Sequence, residues 1–80
     1  MEDLTERIKL KIKEVAFKKV NDSDELLKSG ILTSILAVDL ATALEEELNF
    51  SIPFTEITEE NFSSVISIRD YILSKKNNAN

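Results

Sequence analysis

Few side chains in this chain can do chemistry. The 80 residues contain no histidine and no cysteine, which excludes zinc sites, disulfides and the usual nucleophile–base pairs. Among the hydroxyls, Ser34 is the one whose position suggests a use. Gly30, Ile31 and Leu32 lead into Thr33, and from Ser34 onward the sequence reads as helix, with no proline or glycine until Pro53. Thr33 is the predicted N-cap, its oxygen accepting from an otherwise orphan N–H of the first turn, which makes Ser34 the first helical residue. Free N–H groups and the positive end of the helix dipole converge there, a position suited to an anionic substituent. No histidine and no neighbouring lysine can activate the hydroxyl, so a separate enzyme must install any group on Ser34. Residue types alone leave enzymatic chemistry little to work with.

Advancing 100° per residue sorts the helix from Ser34 into two faces. Ala37, Leu40, Ala41, Leu44 and Leu48 form a stripe spaced for burial against other helices, while Ile35, Asp39, Thr42 and Glu46 lie opposite. The outer face therefore carries an apolar residue beside the serine and carboxylates farther along.

These residues resemble a family. The stretch LTSILAVDLATALEEELNFSIP is similar to the second helix of acyl and peptidyl carrier proteins, which bear a 4'-phosphopantetheine arm on a serine in an aspartate-serine-leucine motif. The resemblance runs without a gap from Gly30 to Pro53 and continues more loosely through Phe62, Ser63, Ser64, Val65, Asp70, Tyr71 and Ile72. Its GIL lead-in is similar to the D-alanyl carrier branch. Thr33 stands where the family has aspartate, and Ile35 where it has leucine.

The resemblance implies that Ser34 carries covalent 4'-phosphopantetheine, installed from coenzyme A by a phosphopantetheinyl transferase. An acyl or aminoacyl group would ride on the arm as a thioester. It would be loaded by an adenylating ligase or handled by acyltransferase or synthase enzymes. Ile35 would fill a small apolar pocket on those partners, and Asp39 and Glu46 would meet arginine or lysine. Thr33 and Leu36 flank this face, and Leu36 either packs on the flank of the core or widens the apolar contact. The alternative from a different class is a carrier-like interaction module without the arm, binding a basic partner through its acidic second helix.

Charge agrees with basic protein partners. Residues 1–20 hold six basic and four acidic side chains, whereas residues 21–74 hold two basic and eleven acidic ones. Such an acidic chain does not suit nucleic acid, whose phosphates select lysine and arginine. No apolar run approaches a membrane span, and MEDLTERIK starts acidic with no secretory core, so a cytoplasmic, monomeric protein without membrane insertion is the expectation.

Periodicity predicts the helices and connections around Ser34. Leu4, Ile8, Ile12 and Val15 predict a first helix over residues 2–19. Leu10 and Phe17 lie nearly opposite that stripe, and either pack under the following loop or form a small exposed patch. The long connection Asn21–Leu32 is expected to be anchored by Leu26, Leu27, Ile31 and Leu32, with Gly30 at positive φ aiming the chain into the next helix. After Asn49 comes a loop interrupted by Pro53 and anchored by Phe50, Ile52 and Phe54. Thr58 caps a short third helix, and Ser63 caps a last one built on Val65, Ile68 and Ile72, with KKNNAN at 75–80 frayed. The fold expected is all-α. It is a small acyl-carrier-protein-like four-helix bundle, three main helices and one short, in a single domain over 1–76 with a tail at 77–80.

Overall fold

Among the described residues four helices and one 3-10 turn follow in chain order: α1 (Leu4–Ala16), α2 (Ser34–Leu48), the 3-10 turn Phe54–Glu56, α3 (Glu59–Phe62) and α4 (Val65–Asn77). The computed structural model describes residues 3–77; residues 1, 2 and 78–80, the ends of the predicted first helix and of the expected tail, lie outside the described residues. Among the described residues there is no strand, and the all-α bundle expected from periodicity is what the chain forms.

Asp3 opens α1, its carboxylate accepting from the Thr5 amide at 3.2 Å and from the Thr5 hydroxyl at 2.6 Å. These bonds, the side-chain one foremost, hold the Asp3 carboxyl below its ordinary value. The helix ends at Ala16, three residues before the predicted end. Phe17 turns left-handed at φ 60°, and its N–H closes the last turn on the Lys13 carbonyl at 2.9 Å. Leaving the helix there lets Val20 fold back into the core. Ile8 and Ile12 are buried as predicted, whereas Leu10 and Phe17 are exposed, so the exposed-patch reading of that pair holds.

The long connection between α1 and α2 is tied down by backbone and side chains together. Leu26 and Leu32 are fully buried, and the Leu26 amide donates to the Ser63 carbonyl at 2.8 Å. The Ile66 amide donates to the Asp22 carbonyl at 3.2 Å, and Lys9 pairs with the Asp22 carboxylate at 2.6 Å. The connection thus has the α3–α4 junction and α1 as anchors.

Leu40 and Leu44 from α2 meet Ile8 and Ile12 from α1, and Phe62, Val65, Ile68 and Ile72 close the core from α3 and α4. Each such side chain contributes about 1.5–3 kcal/mol by leaving water. Thr58 caps α3 through the Asn61 amide at 3.2 Å, as expected. The cap of α4 is Ser64, not Ser63: the Ser64 hydroxyl accepts from the Ser67 amide at 3.1 Å. Ser63 is still helical and ends α3, and its hydroxyl pairs with that of Ser67 at 2.9 Å. α4 continues through Lys75 and Lys76 to Asn77, beyond the point where fraying was expected, and Lys75 pairs with Glu56 at 3.2 Å.

Phe54 departs from expectation. Phe50 and Ile52 turn toward the core, but Phe54 is 75% exposed and anchors nothing.

Candidate functional site at the start of the second helix

Gly30 adopts φ +85°, a conformation available to glycine at no steric cost, and it turns the chain toward α2. Thr33 follows in extended conformation, its hydroxyl oxygen accepting from the Leu36 amide at 3.2 Å and its carbonyl from the Ala37 amide at 2.8 Å. Ser34 is therefore the first residue of α2, exposed to solvent. Among the described residues its hydroxyl makes no hydrogen bond, and the Ser34 and Ile35 amides have no acceptor. A free hydroxyl, two free amides and the positive end of a four-turn helix converge at one point of the surface.

The outer face of α2 is as the wheel predicted. Ile35 is 74% exposed, and Thr33, Asp39 and Glu46 are exposed with it. Leu36 is half-buried and packs against the core, leaving only its edge at the surface. The three consecutive glutamates have separate fates. Glu45 accepts from the Ile52 amide at 2.6 Å, and Glu47 pairs with Arg7 at 2.9 Å and Lys11 at 3.4 Å on α1. Among the described residues Glu46 and Asp39 have no such partner and stand free at the surface.

A shallow groove of about 330 Å³ opens beside the serine, lined by Ser34, Ile35, Val38, Asp39 and Phe54. A second hollow of about 230 Å³ lies on the other side of Phe54, where Ser34 and Val38 meet Ile57 and Thr58. Phe54 is held proud between them from two directions. The Glu45–Ile52 bond ties the loop to α2. Glu56, two residues past Phe54, accepts from the Tyr71 hydroxyl at 2.5 Å and pairs with Lys75, both on α4. Those α4 contacts, the tyrosine hydrogen bond first and the lysine second, hold the Glu56 carboxyl below its ordinary value. Burial, and then Glu56 itself, push the Tyr71 phenol up.

Sequence reasoning did not place Val38 and Phe54 along the groove beside Ser34. Val38 was findable, since it sits one turn beyond Ser34 on the same side of the wheel. Phe54 was not, because a loop residue has no periodicity to betray which way it faces.

The exposed Ser34 hydroxyl leaves room for a substituent. Among the described residues no acid or base hydrogen-bonds Ser34, and no group of histidine, cysteine, aspartate or glutamate side chains could hold a metal ion. No helix among them is long and apolar enough to cross a membrane. A phosphodiester fits the site: its charge would meet the free amides and the helix dipole, and the rest of a flexible arm could lie along apolar walls. No curated protein matches the chain. A family model described as the phosphopantetheine attachment site does match, over residues 3–72, which takes in all of α1, α2 and α3 and most of α4. On that match the chain belongs to the phosphopantetheine attachment-site family, and it is a carrier protein of the kind that bears a covalently attached 4'-phosphopantetheine group.

Proposed function

We propose that Ser34 is the residue that carries the arm, and that the protein presents an acyl or aminoacyl thioester to partner enzymes through the outer face of α2. The observation that carries this reading is the unpaired, exposed Ser34 hydroxyl at the first position of α2, beside exposed Ile35. In arm attachment, Ser34 Oγ forms the bond to phosphorus as the nucleotide portion of coenzyme A departs. The hydroxyl proton goes to a base on the phosphopantetheinyl transferase, since this chain has none in place. The Ser34 and Ile35 amides then favour the phosphodiester charge. The arm's terminal thiol supplies the thioester linkage to the cargo.

Ile35, with Leu36 and Thr33 at its edge, is the apolar contact for partners, and Asp39 and Glu46 meet their arginines or lysines. The freedom of those two carboxylates, against the internal engagement of Glu45 and Glu47, supports that division. Contacts of this kind are modest and salt-sensitive, which suits a carrier that must leave each partner quickly. The sequence resemblance favours the D-alanyl or peptidyl branch, loaded by an adenylating ligase, with the chain acting as a monomer in the cytoplasm.

Incubation with coenzyme A and a promiscuous phosphopantetheinyl transferase should add the mass of one arm, and Ser34→Ala should abolish the addition. Asp39→Lys and Glu46→Lys should slow loading by the ligase while leaving the fold intact. An unmodified wild-type chain whose binding to a basic partner still depends on Asp39 and Glu46 would point instead to the armless interaction module.

A further inference from the structure

The face of α1 that points away from the core carries a feature the carrier role does not use. Leu10, Lys13 and Glu14 fall at i, i+3 and i+4 on one side of the helix, and Phe17 follows at its C-terminal end. Phe17 is 87% exposed and Leu10 59%, and Lys13, Lys18 and Lys19 are exposed around them. Among the described residues none of these three lysines has an ion-pair partner, while Lys9 and Lys11 do. Beside Leu10 a pocket of about 210 Å³ is walled by Leu10 and Val20 and rimmed by Lys9, Lys13 and Lys19, with Glu6 the one acid at its edge.

Phe17 is doubly unfavourable for the fold. Its φ of 60° is one that glycine takes freely and a bulky residue rarely does, and its ring lies in water. A glycine would end α1 equally well. A side chain that is strained and exposed, and that packs on nothing in the core, points to a contact outside the chain.

We propose that this face docks reversibly on an anionic phospholipid bilayer, with Phe17 and Leu10 entering the interface and Lys13, Lys18 and Lys19 meeting headgroup phosphates. Glu6 and Glu14 share this side but pair with Lys9 and Lys11, so the unpaired lysines select an anionic partner. Size selects lipid over protein: two apolar side chains fall far short of the roughly 800 Å² per side of a specific protein interface. Interfacial binding needs no matched area and grows with each inserted apolar group and each lysine near the surface. The patch is a different helix face from that of Ser34, so docking and arm chemistry are separable.

The test uses the full chain with vesicles of phosphatidylcholine alone or mixed with phosphatidylglycerol, read by co-sedimentation. Wild type should partition onto the anionic vesicles only, and lose that partition between about 50 mM and 500 mM salt. Lys18→Glu should lower the partition at least about fivefold, and Phe17→Gly about tenfold. Because it relieves the left-handed strain, Phe17→Gly should also raise the melting temperature, by about 4–8 °C. Both variants should still accept the arm on Ser34, which separates loss of docking from loss of fold.

Equal partition onto both vesicle types, partition onto neither, or unchanged partition of Phe17→Gly would overturn the proposal. So would a lower melting temperature for Phe17→Gly, which would make the ring structural. Self-association that depends on Phe17, without vesicle binding, would assign the face to a second copy and refute the lipid reading.

Discussion

Three consecutive glutamates offer the sharpest test of how this site is held, because neighbours of one residue type should behave as three different groups. Glu45 is half-buried and accepts at 2.6 Å from the amide of Ile52, itself only 6% exposed. Truncation to alanine strands that amide in a largely dry position. A hydrogen bond to a charged group contributes about 1.5–3 kcal/mol, and the stranded donor adds to the loss. Taking about 2 kcal/mol for Glu45→Ala, a domain of this size should melt roughly 10 °C lower. Glu45→Gln keeps an acceptor and should recover part of the loss. Glu46 has no partner among the described residues, so Glu46→Ala should leave stability unchanged and act only on partner enzymes. Glu47 makes surface ion pairs with Arg7 and Lys11, and its truncation should cost a minor fraction of the Glu45 effect, vanishing in high salt. Urea or thermal unfolding of the three single variants measures this directly. Amide exchange at Ile52 should accelerate in Glu45→Ala alone. If Glu45→Ala and Glu46→Ala unfold together, the Glu45–Ile52 bond does not hold the loop and the placement of Phe54 needs another cause.

Glu56 should make stability depend on pH. Its carboxyl is depressed in the folded state by Tyr71 and then Lys75, so its contribution is fully present above the ordinary value of 4.5 and is lost as pH falls through the folded value. The difference in urea midpoint between wild type and Glu56→Gln should therefore be present at neutral pH and shrink on acidification. Gly30→Ala should lower stability by about 1 kcal/mol through its φ of +85° alone, since a Cβ there meets nothing within 4 Å; a much larger loss in denaturant titration would mean that the turn has hidden contacts. Thr33→Ala should lose about 1 kcal/mol with the α2 cap, whereas Thr33→Asp should keep the cap and speed arm attachment, as followed by mass spectrometry.

Periodicity and local capping suffice to place the helical elements and the serine among them. The stripe Ala37, Leu40, Ala41 and Leu44 can be buried in only one way by a helix of 3.6 residues per turn, and burying it leaves Ile35, Asp39 and Glu46 outside. Thr33 as cap and Gly30 at positive φ were legible too, because each states a local requirement of hydrogen bonding or backbone angle. Helix ends were less so: Phe17 stops α1 early and Ser64, not Ser63, caps α4, since adjacent residues compete for those roles and distant contacts choose between them. Local rules leave open which glutamates stay free, which way Phe54 faces, and whether Leu10 and Phe17 are covered. Those outcomes depend on what α1, α4 and the loop after α2 bring from far along the chain: Arg7 to Glu47, Tyr71 and Lys75 to Glu56, and nothing at all over Phe17. Local patterning records which face a helix buries, but an exposed side chain acquires its partner only from a segment whose approach is fixed by the packing of the whole.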